Sequence, residues 1–132
     1  MSKTYLMIKP ELVADQKIGE VLKMLSDNGF RIERLELKKL SMETVKQFYA
    51  EHEGKPFFPD LLSYITGGPV VAVALEKESA VPDLRTLVGA TNPEEAAEGT
   101  IRDLYGRSLQ NNGVHASDSD ASAERELGII FA

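Results

Sequence analysis

Residues 70–75, Val-Val-Ala-Val-Ala-Leu, are apolar without interruption. A strand that alternates can leave one face in water, but one that does not is covered on both. A chain built around such a strand needs other elements packed against each side of it. With 132 residues, 42% of them hydrophobic, the chain fits one domain, 1–132, with a sizeable core.

The other elements follow from period and punctuation. Thr4 to Lys9 alternates, with Leu6 and Ile8 on one face, and reads as the first strand. Pro10 has no backbone donor and ends it or opens the next helix. Ile18, Val21, Leu22 and Leu25 recur at helical spacing and Asn28-Gly29 supplies a stop, which predicts a helix over roughly 15–28. Phe30 to Leu40 reads as a strand whose apolar parity flips from even (Phe30, Ile32) to odd (Leu35, Leu37). A period of two forbids that flip without an extra residue, so a bulge or bend is expected near Glu33-Arg34.

Ser41 is a good N-cap for a helix through Val45, Phe48 and Tyr49, and a short helix over 59–65 stops at Gly67-Gly68. Pro69 opens the apolar strand. Val81 to Val88 reads as helix, stopped by Gly89. Asn92-Pro93-Glu94-Glu95 has the form of a helix start, with Asn as cap, Pro first and Glu95 closing a capping box. A loop over 106–113 leads to a short strand, Val114-His115-Ala116. Ser117, Asp118 and Ser119 then offer caps for a last helix over about 119–130, with Leu127 and Ile130 on its apolar face. The order β-α-β-α-α-β-α-α-β-α contains a split β-α-β unit. With right-handed crossovers it gives an α+β fold, a ferredoxin-like α/β sandwich with a four-stranded antiparallel sheet covered by helices.

Charge and composition remove several function classes. The formal net charge of -6 argues against binding nucleic acid through a basic surface. Such a chain can still hold polyphosphate where its few cations converge. With no cysteine there are no disulfides, thiolate metal sites or cysteine nucleophiles. No stretch approaches the ~18 to 20 apolar residues of a membrane span. The start, Met1-Ser2-Lys3-Thr4-Tyr5, runs straight into a strand, so a cytoplasmic protein without a signal peptide is expected.

No glycine-rich phosphate loop is present, so scattered side chains have to hold any nucleotide. No histidine or carboxylate spacing suits a metal site, and Asp118 and Asp120 read as helix-start charges. The richest chemistry is in Asn112-Gly113-Val114-His115-Ala116-Ser117-Asp118-Ser119. An imidazole with a typical pKa of ~6.5 is mostly neutral above pH 7. Its lone pair can attack phosphorus with no proton to remove, and the phosphoramidate stays reactive enough to pass the group on. The other ring nitrogen needs an acceptor. Glu126, eleven residues on, and Ser117 are the candidates. Taken alone, a histidine beside Ser and Asn is an ordinary structural or surface residue. His52, in the polar helix end Tyr49 to Lys55, reads as solvated.

The octet resembles the active-site signature of the nucleoside diphosphate kinase family, and the resemblance spans the chain. Tyr5-Leu6-Met7-Ile8-Lys9-Pro10-Glu11 resembles the family's opening strand with its lysine. Phe48-Tyr49-Ala50-Glu51-His52 followed by Lys55-Pro56-Phe57-Phe58 resembles its nucleotide-cleft helices. Gly68-Pro69-Val70-Val71, Gly89-Ala90-Thr91-Asn92-Pro93 and Gly99-Thr100-Ile101-Arg102 match further stretches in the same order.

The resemblance implies a ping-pong transfer of the terminal phosphoryl group from a nucleoside triphosphate to a nucleoside diphosphate through phosphorylated His115. It also implies Mg2+ held mainly by the phosphates rather than by the protein. Lys9, Tyr49, Arg102 and Asn112 would surround the transferred group, and Arg85 and Thr91 would hold the inner phosphate. Phe57 would stack on the base, with Leu61 and Leu109 lining its slot, while Ser117 and Glu126 would support the histidine. By the same resemblance the base specificity is broad, the role is upkeep of triphosphate pools, and the chain is a homo-oligomer with neither membrane nor specific nucleic acid as partner. Ala116 departs from a position where relatives mostly carry glycine, so the backbone there cannot need a positive φ. Leu109 departs where Val or a similar residue is common.

Overall fold

In the computed structural model, which describes residues 1–132, the apolar run becomes all but the last two residues of β3 (Val70–Lys77). It lies between β1 (Ser2–Ile8) and β2 (Arg31–Lys38), and β4 (Val114–Ala116) flanks β1 on its far side. The sheet order is β2-β3-β1-β4 and every neighbouring pair is antiparallel. That is the ferredoxin-like order expected from the split β-α-β unit.

Strand parity divides the interior in two. Leu6 and Ile8 of β1, Val71, Val73 and Leu75 of β3, and Val114 and Ala116 of β4 share one core. That core is closed by α1 (Pro10–Ala14), α2 (Ile18–Asp27), α5 (Ala80–Val88) and α6 (Ile101–Tyr105). Tyr5, Met7, Val70 and Ala72 face the other way, against α3 (Met42–Phe48), α4 (Phe58–Thr66) and α7 (Asp120–Ile130). Both faces of β1 and β3 are therefore dry, so the alternation read into Thr4 to Lys9 does not mark a wet face: Tyr5 and Met7 are as buried as Leu6 and Ile8.

The parity flip in β2 is a bulge. Ile32 pairs with Leu75 and Arg34 with Ala74, so Glu33 is the extra residue. Ser41 caps α3 by accepting from the Thr44 amide, as its sequence position suggests, and Ser119 does the same for α7 at Ser122.

Two elements differ from the sequence expectation. The helix expected over 15–28 begins only at Ile18, and Pro10 opens a separate one-turn helix. Gln16 between them takes φ 61, a left-handed break by a residue that gives no sequence warning of one. The helix expected after Asn92 is only a 3-10 turn, Pro93–Glu95. Asn92 accepts from the Glu94 amide rather than forming a box with Glu95, and the true helix start is capped by Thr100.

Candidate functional site

The site gathers at β4, an outer strand where the two helical layers meet. His115 pairs with Met7, so its ring points to the α3 and α7 side while Val114 and Ala116 point to the other. It lies among rings: Phe48 at 5.1 Å between centroids, Tyr5 at 6.0 Å and Tyr49 at 6.3 Å. Glu126 comes up from α7, buried, and its Oε1 accepts from His115 Nε2 at 2.8 Å and from the Ser117 hydroxyl at 2.6 Å. A carboxylate only accepts, so the Nε2 position carries the proton and Nδ1 keeps its lone pair. Nδ1 has no protein partner and is not a buried atom, so it meets solvent. Ala116 has no positive φ and fits the strand, in line with its side chain.

The cations come from the other layer and from the end of β1. Arg102, at the start of α6, donates to the carbonyls of Gly89 at 3.1 Å and Val114 at 3.0 Å. Arg85, on α5, reaches the Ala116 carbonyl at 3.3 Å. Both arginines thus bond β4 backbone on either side of His115. Lys9 caps α1 and donates to Asn112 Oδ1 at 2.7 Å, and its ammonium lies 5.9 Å from the Tyr64 ring centre. The Asn112 amide donates in turn to the Thr91 carbonyl at 3.1 Å, which ties the loop over 106–113 to the loop after α5.

Burial, and then neighbouring Arg102, push the Lys9 ammonium down to about 8. Burial, and then Arg85, bring Arg102 down to about 10. Arg102 thus acts on Lys9 and Arg85 on Arg102, and in a chain of net charge -6 the three cations form a local positive field that Glu11, beside Lys9, offsets only in part. Glu11, beside Lys9, is raised by burial, against which Lys9 and the Gly113 amide act. Burial, and then Glu126, hold the Tyr49 phenol well above its usual range, so it is a neutral hydroxyl.

The apolar members lie further out. Phe57 is 40% exposed, whereas Phe58 beside it is 9% exposed and part of the core under α4. Of the two adjacent rings, only Phe57 is left open to a ligand. Leu61 packs partly against the same core, and Leu109 is exposed on the loop. Hydrogen bonds join His115, Ser117 and Glu126 in one group and Lys9, Asn112 and the Thr91 carbonyl in another, while Arg85 and Arg102 bond the β4 backbone and Tyr49 packs against His115 without a bond. Phe57, Leu61 and Leu109 stand outside those bonds.

His52 is not the solvated residue its sequence context suggests. It is half-buried and lies over Tyr49, with centroids 6.2 Å and planes 29° apart. The signal was its position three residues after Tyr49. Arg125 was also missed: it donates to the carbonyls of Gln47 and Phe48 and pins the end of α3 to α7.

A family model described as nucleoside diphosphate kinase matches residues 2–132. This chain belongs to the nucleoside diphosphate kinase family. As a member it is an enzyme of nucleotide phosphoryl transfer. A nucleoside diphosphate kinase of Salinibacter ruber is 46% identical over 98% of this chain and 91% of its own length. The Archaeoglobus fulgidus nucleoside diphosphate kinase is 47% identical over 100% of this chain and 87% of its own. Among solved structures, a halophilic nucleoside diphosphate kinase from Halobacterium salinarum in complex with CDP superposes with a TM-score of 0.95. It is 39% identical, over 98% of this chain and 87% of that one. The nucleoside diphosphate kinase fold thus accounts for both helical layers and for the edge position of β4.

Proposed function

We propose that this kinase works by a ping-pong route through His115. Nδ1 attacks the terminal phosphorus of a nucleoside triphosphate in line with the leaving oxygen. An N–P bond forms, the P–O bond to the diphosphate breaks, and the electron pair leaves on the diphosphate. A second diphosphate enters the same site and its terminal oxygen takes the group back in the reverse step. No proton has to leave the nucleophile. The observation that carries this reading is the bond from Nε2 to Glu126, which leaves Nδ1 as the free, solvent-facing nitrogen.

The remaining residues divide by position. Lys9, Arg102, Tyr49 and Asn112 neutralise and orient the transferred group, and Arg85 and Thr91 hold the inner phosphate. Arginines already bonded to carbonyls beside His115 need to move little to meet phosphate oxygens. Phe57 stacks on the base between Leu61 and Leu109. Every base has a π-face, so a stacking platform supports broad base specificity. That the Halobacterium salinarum relative was solved in complex with CDP supports nucleotide binding by this chain.

No group of three or more His, Asp or Glu side chains converges anywhere in the fold. The donor set at the site is cationic and suits phosphate rather than bare metal. Mg2+ would accordingly be held by the phosphate oxygens, where it neutralises charge on the outer two groups. Upkeep of triphosphate pools in the cytoplasm is the role this chemistry suits. No helix is long and apolar enough to cross a membrane. A homo-oligomer is supported by Leu35 and Leu37, which leave apolar surface exposed on the outer strand β2.

Incubation with γ-labelled ATP and Mg2+, without acceptor, tests the route. Label on the protein that survives alkali, is lost in acid and leaves as a triphosphate when a diphosphate is added is the expected result. Nucleotide binding without labelling would make His115 a contact residue and the protein a binding module.

A further inference from the structure

The rings around the site form a continuous chain. Phe57 meets His52 edge-on at 5.3 Å, and His52 lies over Tyr49 at 6.2 Å. Tyr49 meets Phe48 at 4.8 Å, and Phe48 meets His115 at 5.1 Å. Phe48 is a buried core ring, whereas His52 is only half-buried and has no task in the proposed transfer.

Local backbone explains its place. Ala50–His52 is a 3-10 turn, in which side chains three residues apart eclipse, so His52 falls over Tyr49. Lys55 Nζ donates to His52 Nδ1 at 3.2 Å, which fixes the orientation of the ring. The same ammonium lies 5.8 Å from the centre of the Phe57 ring. Phe57 is 40% exposed, so little core packing selects its rotamer. The His52 ring and the ammonium of Lys55 both lie against it.

We propose that His52 is a positioning residue for the base slot. Its ring, backed by Tyr49, presets the face of Phe57 before nucleotide arrives. The inference rests on the reading of Phe57 as the base platform. His52 reaches no reacting atom, so its contribution belongs to nucleotide affinity rather than to the chemical step. A purine overlaps more of the Phe57 face than a pyrimidine and loses more when that face is no longer fixed.

The test compares His52→Ala, His52→Phe, Phe57→Ala and the double variant His52→Ala/Phe57→Ala. Each is measured for its dissociation constant for ADP and CDP and for kcat, with a melting curve to confirm folding. His52→Ala should weaken ADP binding roughly two- to ten-fold, the range an aromatic pair covers. The loss for CDP should be smaller, and kcat should move less than affinity. His52→Phe, which keeps a flat ring, should restore binding. In the Phe57→Ala background the His52 change should have no further effect. The proposal is overturned if Phe57→Ala weakens binding while His52→Ala does not, or if the two losses multiply. If Phe57→Ala itself leaves affinity unchanged, the platform reading falls and this inference with it. Should His52→Ala fail to fold, His52→Leu carries the same comparison with the volume kept and the ring removed.

Discussion

Glu126 receives His115 and Ser117 on one and the same carboxylate oxygen, at 2.8 Å and 2.6 Å. The serine hydroxyl holds the oxygen and the oxygen holds the imidazole. Ser117, with no exposed surface, is itself anchored through its amide to the Tyr5 carbonyl of β1. His115, the candidate nucleophile, is therefore referenced to the sheet twice, once through β4 pairing and once through this relay.

Removing the relay should release the imidazole to sample the wrong tautomer. A hydrogen bond to a charged group contributes roughly 1.5–3 kcal/mol. Glu126→Ala is expected to lower the rate of His115 phosphorylation about 10- to 100-fold, read by quenched-flow labelling. Ser117→Ala, which leaves the acceptor in place, should cost less. Equal losses from the two would show that the serine, not the carboxylate, sets the ring.

Lys9 gives a pH prediction in two parts. Its folded pKa of about 8 is depressed below the ordinary value of 10.5. Between those values the unfolded chain binds more protons than the folded one, so this group adds stability as pH rises. The melting temperature of Lys9→Met relative to the parent should drift in the parent's favour from pH 8 to pH 10, and a flat difference would reject the shift. Nucleotide affinity should run the opposite way and fall above pH 8 as the ammonium loses its proton.

Phe57 and Phe58 are adjacent but belong to different problems. Phe58→Ala removes a core ring and should cost about 3–5 kcal/mol of stability by denaturant titration. Phe57→Ala should barely move stability and should weaken nucleotide binding by about 1–3 kcal/mol, measured by calorimetry. Reversed effects would mean the two rings exchange roles.

Gly89 ends α5 at φ +92, and a β-carbon there would come within 2.5 Å of the Thr100 hydroxyl. Backbone in such a region costs any other residue on the order of 1–3 kcal/mol, before the clash. Its carbonyl also receives Arg102. Gly89→Ala is expected to lower both melting temperature and kcat/KM. A variant that melts early but keeps full activity would separate Arg102 placement from the turn.

The layered fold was legible because its signals are local and redundant. An unbroken apolar strand, a parity flip at Glu33 and hydroxyl caps at Ser41 and Ser119 each report a neighbour's geometry. The break at Gln16 was not legible, because a glutamine in the left-handed position that closes the short helix opened by Pro10, its amide on the Val13 carbonyl and that of Lys17 on the Leu12 carbonyl, looks like any surface glutamine. The identity of the candidate nucleophile came from its octet and the order of the surrounding motifs. What sequence could not convey was that Arg85 and Arg102 rest on the carbonyls of β4. That depends on which strand closes the sheet, a fact of topology rather than of composition. The stacking of His52 on Tyr49 depended on a 3-10 turn too short to leave a periodic trace.

β4 has three residues, alternating in direction, and it is held at its start by the bond from the Lys9 amide to the Gly113 carbonyl. Insertions and deletions upstream of Asn112, itself tied to Lys9 and the Thr91 carbonyl, can be absorbed by the loop without moving His115. One residue gained or lost between Gly113 and His115 cannot, because it turns the imidazole through the sheet into the opposite core, away from Glu126. Lineages of this chain are thus free to drift in length before the Asn112-Gly113 pair and locked in frame after it.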